Sequence, residues 1–327
     1  MPRGEQGPIL AIMRKLLVRS LVGILVFGLV VPVAGAWYIA GLVPYPSWLE
    51  HRSPEQGLRP LPPGASIERS GDPGSAFDYS FEEIEFAAAD GRTLRGWFIP
   101  GFPGARAAVV AVHGAGSDRR GFLPHLPIFH KVGYPVVLFD CRDHGISDAT
   151  GLGLSFGVRE HEDISSAVAW MKRRKDIESV AVIGTSQGGG SVLIAAALDP
   201  NIDAVISENP FTNLGDLLRD TDSEAGSPPD ALSPLIAWFT LLRSDGLDLP
   251  SPLEATPMIA PRPLLLMHGT ADRLIPYAHS EELLAVAGEP VELWLAEGAR
   301  HGRLINRYPE EYSARMRAFL LHSVGAP

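Results

Sequence analysis

A serine inside a short glycine motif has the sequence context of a nucleophile. Ser186 is the central residue of Gly184-Thr-Ser-Gln-Gly188, which follows the apolar run Val180–Ile183 and opens a predicted helix, Gln187–Leu198. This context predicts a sharp strand-to-helix turn that exposes the serine hydroxyl at a helix N-terminus. Free N–H groups there favour developing negative charge. We therefore predict that Ser186 is a nucleophile.

A second match to the same pattern has a different context. Gly153-Leu-Ser155-Phe-Gly157 also has the G-x-S-x-G spacing, but Asp-Ala-Thr-Gly-Leu precedes the serine instead of an apolar strand. Because the motif has its chemical meaning only between a strand and a helix, we interpret Ser155 as a loop residue.

A serine nucleophile needs a base, and the base needs a carboxylate that orients it. In the chain order Ser, acid, His, the candidates must follow Ser186. Asp272 follows the predicted strand Pro263–His268, at the strand end where ligands gather in open α/β sheets. His301 follows the predicted strand Val291–Leu295. We predict that Asp272 is the acid and His301 the base, with Glu208 as the alternative acid.

Backbone N–H groups near the serine are the expected oxyanion donors. His113-Gly-Ala115-Gly116 ends the third predicted strand. We assign the oxyanion hole to the N–H groups of Ala115 and Gln187, and losing one such donor typically costs about 10²–10³ in rate. His113 precedes the serine and is interpreted as a brace for this loop.

Apolar β-rich runs alternate with longer helical stretches from residue 79 onward, which predicts a mostly parallel, doubly wound sheet of eight strands. Asp90-Gly91 lies between the first two strands and predicts a hairpin, so the sheet should begin antiparallel. The predicted strands are Phe81–Ala87, Thr93–Ile99, Ala107–Val112, Val136–Asp140, Val180–Gly184, Ala204–Ser207, Pro263–His268 and Val291–Leu295.

Residues 211–260 interrupt the alternation and predict an inserted lid. Helical fragments, Leu214–Arg219 and Ala231–Leu242, flank a polar break rich in Gly, Pro and Asp. The apolar side chains of the second fragment suit either an acyl pocket or simple packing on the sheet. They are Leu235, Ile236, Trp238, Phe239, Leu241 and Leu242.

The N-terminal segment predicts one membrane-spanning helix over residues 20–43. As a helix, it would reach about 36 Å, which exceeds a hydrocarbon core of about 30 Å. Basic residues precede it and aromatic residues mark its far end, so we expect residues 1–19 to be cytoplasmic and the rest extracytoplasmic. These residues are Arg3, Arg14, Lys15 and Arg19, then Trp37, Tyr38, Tyr45 and Trp48. A cleaved signal peptide ending near Ala36, or a buried core helix, are the alternatives.

The composition of the chain limits the remaining possibilities for the linker, for partners and for metal sites. Residues 44–78 are rich in Pro and Gly and predict an irregular linker that holds the catalytic domain, residues 79–325, off the membrane. The net charge of −10 argues against a nucleic-acid partner. Cys141 is the single cysteine, which excludes an intrachain disulfide and a cysteine-based metal site.

Taken together, these motifs resemble those of the α/β-hydrolase superfamily, over about residues 79–325. The segments Asp90–Trp97, Asp140–Ser147 and Glu208–Phe211 are similar to those of membrane-anchored monoacylglycerol-lipase and Bem46-like enzymes. That subgroup usually has Gly where this chain has Asp143, and the extra carboxylate beside His144 suggests a local ion pair.

The resemblance implies hydrolysis of a small-molecule or lipid ester through Ser186, His301 and Asp272, with no metal or organic cofactor. A peptidase or amidase and an acyl-thioesterase are alternatives on the same triad, and a non-catalytic binding module is a further one. Chain-length preference and oligomeric state are not encoded in these motifs.

Overall fold

The computed structural model describes residues 6–47, 49–60, 71–221 and 230–325. Arg3, Trp48 and parts of the predicted linker and lid lie outside these residues. The strands are β1 Glu82–Ala87, β2 Thr93–Ile99, β3 Ala107–Val112, β4 Val136–Phe139, β5 Ser179–Thr185, β6 Ala204–Glu208, β7 Leu264–Gly269 and β8 Val291–Ala296. The α-helices are α1 Gln6–Ala40, α2 Pro73–Phe77, α3 Leu126–Val132, α4 Glu160–Lys172, α5 Gln187–Leu198, α6 Leu214–Asp220, α7 Ser233–Arg243, α8 Pro252–Ala255, α9 Ala278–Val286, α10 Leu304–Arg307 and α11 Pro309–Val324. Short 3₁₀ helices cover Arg119–His125, Asp230–Leu232 and Thr256–Met258.

The eight strands form one sheet in the order β1-β2-β4-β3-β5-β6-β7-β8. The β1–β2 and β2–β4 pairs are antiparallel, and every other pair is parallel. The predicted fold class is therefore confirmed, and each predicted strand end lies within one residue of the observed one. Strands β3, β4 and β7 are buried along their whole length. Such strands appear in a sequence as continuous apolar runs, which is why they could be predicted.

Helices cover both faces of this sheet. On one face, α4, α5 and α9 contribute apolar side chains that pack with Val110 and Val112. On the other face, α3 and α11 pack with Val109 and Ala111. Neighbouring residues of β3 thus serve opposite cores, and the sheet carries its strand ends, with their loops, as one rigid edge.

The predicted linker contains one short helix, so the expectation that no regular element survives there is wrong. Pro73 occupies the first turn of α2, where its missing N–H costs nothing. The Asp72 side chain accepts a hydrogen bond from the Ser75 N–H, and the Ser75 hydroxyl oxygen accepts one from the Asp72 N–H. This reciprocal cap fixes the helix before the sheet begins.

Helix α1 is longer than predicted, and its last turns contact the inserted segment. The span Ile12–Ala40 contains an 18-residue stretch with a mean hydropathy of 2.4 and is long and apolar enough to cross a membrane. Ala36 and Ala40 are fully buried against Ile236 of α7. Leu235, Ile236 and Phe239 of α7 therefore cluster with α1, a partner that the sequence did not suggest, whereas Trp238 and Leu242 are exposed.

Candidate active site

The turn between β5 and α5 forces Ser186 into an unusual backbone conformation. Ser186 has φ 58° and ψ −121°, which lies outside the favoured regions for a residue with a side chain. A β-carbon at Gly184 would collide with the carbonyl oxygen of Gly188, and one at Gly188 would collide with that of Val112. The two motif glycines are thus required by close backbone approach, and the strain projects the serine outward.

Two backbone N–H groups beside this serine are available as donors. Within the described residues, no hydrogen bond engages the N–H of Ala115 or that of Gln187. Gly114 lies against the serine, because a β-carbon there would sit 3.1 Å from the Ser186 β-carbon. The loop after β3 and the first turn of α5 therefore border one space next to Ser186, as an oxyanion site requires.

Asp272 and His301 form a close pair. His301 Nδ1 lies 2.6 Å from Asp272 Oδ2, at a distance that suits a hydrogen bond between an imidazole N–H and a carboxylate. The Asp272 side chain is fully buried, whereas the His301 side chain is 22% exposed. The pair therefore offers an anchored carboxylate on one side and an accessible imidazole Nε2 on the other.

Asp272 is held by several further groups. Its Oδ1 accepts hydrogen bonds from the backbone N–H groups of Leu274 and Ile275, each at 2.9 Å, and its Oδ2 accepts one from Asn209 Nδ2 at 2.8 Å. Burial acts to raise the pKa of Asp272, but hydrogen bonds from His268 and His301 outweigh it and hold that pKa below its usual range. Asp272 thus stays ionised although it is buried.

Asn209 and His268 were missed in the sequence analysis as members of this site. Asn209 follows β6 directly and has φ 50°, which turns its side chain toward the next strand end. His268 is the penultimate residue of β7 and lies fully buried, 3.4 Å from Asp272 Oδ2. The available signal was their position, since both are polar residues at the ends of otherwise apolar parallel strands.

Glu208 lies behind the serine. Its carbonyl oxygen accepts the Ser186 N–H at 2.8 Å, while its carboxyl accepts the Tyr312 hydroxyl at 2.9 Å. Burial raises the pKa of Glu208 to about 7, with Asp272 adding to the rise and the Tyr312 hydrogen bond and His301 opposing it. The predicted alternative acid is therefore bonded to a tyrosine, and the histidine is bonded to Asp272.

A buried carboxylate also fixes the side chain of Gln187. Glu160 accepts hydrogen bonds from Gln187 Nε2 at 2.8 Å, from the Ser155 hydroxyl and from the Gly157 N–H. Burial acts to raise the pKa of Glu160, yet hydrogen bonds from the side chain and the backbone of Ser155 outweigh it and lower that pKa below its ordinary value. The second serine of G-x-S-x-G type is thus enclosed and bonded to a carboxylate. Glu160 itself gave no signal in the sequence, because its partner Gln187 lies 27 residues later in the chain.

His113 ties the loop after β3 to the loop after β4. Its Nε2 lies 3.1 Å from the Cys141 N–H and must accept it, so Nδ1 carries the proton and donates to the Gly114 carbonyl at 2.8 Å. Cys141 is buried, and burial raises the pKa of its thiol. Both residues are therefore enclosed beneath the site.

The suggested ion pair between Asp143 and His144 is wrong. Asp143 has φ 59° and accepts hydrogen bonds from the N–H groups of Thr150 and Gly151, which closes the loop after β4. His144 is buried, and burial lowers its pKa to about 4, so the ring stays neutral at pH 7. A neutral ring cannot form an ion pair, and the carboxylate serves the loop instead.

Within the described part of the chain, no group of three or more His, Cys, Asp or Glu side chains is arranged to hold a metal ion. The chemistry that these residues can perform is nucleophilic attack by a hydroxyl, proton transfer through an imidazole, and stabilisation of an oxyanion by backbone donors.

Comparison with known proteins identifies the fold as that of the α/β-hydrolases. Residues 98–244 match the model of a family described by its α/β-hydrolase fold. The protein YfhR of Escherichia coli K12 is 28% identical over 255 residues, which cover 75% of this chain and 82% of that protein. A polyketide transferase of Stachybotrys chlorohalonatus is 27% identical over 272 residues, covering 69% and 91% of the two chains. An esterase structure from Pyrococcus furiosus shares the fold with a TM-score of 0.64 at 24% identity, covering 82% of this chain and 98% of that one.

Proposed function

Because the chain has the α/β-hydrolase fold, we propose that it is a membrane-tethered serine hydrolase that cleaves carboxylic esters. Ser186 is the nucleophile, His301 the general base and Asp272 the orienting acid. The observation that carries the proposal is the strained backbone of Ser186 at a strand-to-helix turn, on the same sheet edge as the Asp272–His301 hydrogen bond.

The reaction has two halves. The Ser186 hydroxyl attacks the acyl carbonyl carbon while His301 Nε2 takes its proton, and the N–H groups of Ala115 and Gln187 stabilise the oxyanion. The C–O bond to the alcohol then breaks, and the alcohol leaves with the proton from His301. Water attacks the acyl-enzyme in the same way, which releases the carboxylic acid and restores the serine.

Membrane attachment is supported by α1. We propose that α1 remains in the mature protein as a single-pass anchor, with its N-terminus cytoplasmic and the hydrolase domain, with its lid at about 211–260, extracytoplasmic. A cleavage after Ala36 would sever a continuous helix and remove a residue that is buried against α7. This contact favours the anchor over the cleaved signal peptide.

A fluorophosphonate probe tests the proposal on the full-length protein in detergent, together with p-nitrophenyl esters from acetate to palmitate. We expect wild type to be labelled and to turn over esters, and Ser186→Ala to do neither. Labelling without ester turnover would instead favour a peptidase or amidase, or a thioesterase, and no labelling of folded protein would contradict the proposal.

Acyl transfer to an acceptor other than water is a second candidate, because a relative covered over 91% of its length is a polyketide transferase. Both reactions share the acyl-enzyme. Adding simple alcohols to the ester assay separates them, since a transferase forms new ester faster than free acid.

A further inference from the structure

Helix α7 carries an apolar stripe that nothing in the described chain fully covers. Leu235, Trp238, Phe239 and Leu242 recur at i, i+3, i+4 and i+7, which places them along one side of the helix. Trp238 is 48% exposed and Leu242 is 40% exposed. Adjoining apolar side chains at this exposure are typical of a contact surface.

The neighbouring side of α7 is fixed to α1. Ile236 packs against Ala36 and Ala40, and the Thr240 hydroxyl lies 3.5 Å from the Ala40 carbonyl. The Trp37 ring meets Phe239 edge to face, with 5.1 Å between ring centroids. Because small alanines allow this close approach, α7 packs directly against the last turns of α1.

The level of the membrane surface along α1 follows from its charged and aromatic neighbours. The Arg243 guanidinium lies 3.9 Å from the centroid of the Trp37 ring. A guanidinium is costly inside hydrocarbon, whereas tryptophan favours the interface. From Arg19 to Trp37, α1 rises about 27 Å, which matches a hydrocarbon core of about 30 Å. Trp37 therefore marks the interface, and the attached α7 lies at the same level.

The charge of α7 suits a lipid surface. Its sequence, SPLIAWFTLLR, has one arginine and no acidic residue, although the whole chain has a net charge of −10. A helix with an apolar stripe and a basic end can lie in the plane of an anionic bilayer surface.

A second attachment places the active-site edge at this level. The Leu154 N–H donates to the Pro44 carbonyl at 2.9 Å, and the Tyr45 hydroxyl donates to the Gly151 carbonyl at 2.7 Å. This loop follows β4, and the segment with α7 follows β6, so both leave the carboxyl edge of the sheet that carries Ser186. The same edge therefore faces the end of α1. The start of the predicted linker, at Pro44 and Tyr45, therefore lies directly against the domain.

We propose that α7 lies in the surface of the bilayer that α1 crosses, with Trp238 and Leu242 among the lipid acyl chains, so that the active-site edge receives acyl esters directly from the membrane. This inference rests on the proposed membrane anchor and on the proposed ester hydrolysis. It adds a route and a source for the substrate, namely a lipid that resides in the same bilayer.

Lipid quenching of single-cysteine variants of the full chain tests the contact. Cys141 is buried, so an environment-sensitive nitrobenzoxadiazole label reacts with the introduced thiol. The variants are Trp238→Cys, Leu242→Cys and a matched control, Leu198→Cys, which is 41% exposed at the far end of α5. The vesicles contain phosphatidylethanolamine and phosphatidylglycerol, with or without lipids brominated high on the acyl chain.

We expect brominated lipid to quench the labels at 238 and 242 at least about two-fold more than the label at 198. Carbonate extraction of the same vesicles reports the anchor separately. Protein that resists extraction but shows equal quenching at all three positions would overturn the inference while leaving the anchor intact. Protein that carbonate releases would overturn both.

A rate ratio tests the consequence for the substrate. For Trp238→Glu with Leu242→Glu, we expect the turnover of a vesicle-embedded long-chain ester, divided by that of p-nitrophenyl acetate, to fall at least about five-fold, because charge expels α7 from the lipid. Leu198→Glu should leave the ratio at the wild-type value. An unchanged ratio in the double variant would contradict delivery of the substrate from the membrane. If the wild-type protein did not turn over p-nitrophenyl acetate, the proposed ester hydrolysis would be contradicted instead.

Discussion

The turn around Ser186 and the inserted segment at residues 211–260 lie on the same sheet edge, but they are specified in different ways. At the turn, five consecutive residues fix the backbone, because Gly184 and Gly188 have no room for a side chain. In the insertion, α7 is positioned by α1, almost 200 residues earlier in the chain. One region is local in sequence and the other depends on a distant partner.

This difference explains where sequence patterns are informative. A steric requirement inside a short motif restricts which residue types can occupy each position. The strand and helix patterns on either side then locate the motif in the fold. An apolar helix face only requires some apolar partner, and its sequence does not name that partner. The following predictions test the local region and then the distant one, beginning with the largest effect.

Ser186→Ala removes the nucleophile and should lower kcat/KM for p-nitrophenyl esters by at least about 10⁴-fold, leaving only binding and oxyanion stabilisation. Ser155→Ala is the matched control, because its hydroxyl donates to Glu160 inside the fold. That variant should lose about 1 kcal/mol of stability and keep its fluorophosphonate labelling. Full esterase activity in Ser186→Ala would contradict the assignment of Ser186 as the nucleophile.

Asp272→Asn should lower kcat about 10³–10⁴-fold, because the amide cannot stabilise an imidazolium and favours the wrong histidine tautomer. Steady-state kinetics measure this loss. Glu208→Gln serves as the comparison, since the Glu208 carboxyl is bonded to Tyr312, and its kcat should stay within about ten-fold of wild type. The reverse order of effects would make Glu208 the acid.

Glu208 also predicts a pH dependence of stability. Its pKa rises from 4.5 to about 7 in the fold, mainly through burial, so the folded state binds more protons than the unfolded state in this window. The free energy of unfolding should therefore fall as pH rises from 4.5 through 7. Glu208→Gln stays neutral and should be stabilised relative to wild type by about 3 kcal/mol above pH 7, and not below pH 4.5. Thermal unfolding in detergent measures this, with the exposed Glu292→Gln as control.

The sequence alone predicted the eight strands and their mostly parallel arrangement, because buried strands need unbroken apolar runs. It also picked out Asp272 and His301, and these two side chains meet. It did not reveal Asn209 or Glu160, whose partners Asp272 and Gln187 lie in other segments, or His268, which lies inside an apolar strand four residues before Asp272. Nor did it reveal that α1 packs on α7, since apolar periodicity alone does not distinguish lipid, sheet and helix as partners.

Ala36→Leu tests the distant region. Ala36 is fully buried against α7, so a larger side chain should weaken the contact by about 1–3 kcal/mol. Protease cleavage within residues 211–260 should then accelerate about ten-fold, because the segment opens more often. Gly35→Leu places the leucine one position earlier, where a β-carbon has no neighbouring atom within 4 Å, and should not change the cleavage rate. Equal rates in the two variants would mean that α1 does not hold α7.

Asn209 lies where the two regions meet, between the end of β6 and the inserted helices. Its amide donates to Asp272 Oδ2 at 2.8 Å, so Asn209→Ala should loosen the carboxylate that orients His301 and lower kcat about ten-fold with little change in KM. Counting active sites with the fluorophosphonate probe expresses kcat per labelled serine, which a merely structural defect would not alter. Asn213→Ala is the matched control, because Asn213 caps α6 through Asp216 N–H and should lower stability while keeping kcat per site. If both variants kept wild-type kcat per site, the positioning of Asp272 would depend on its backbone donors, and the insertion would be uncoupled from the chemistry.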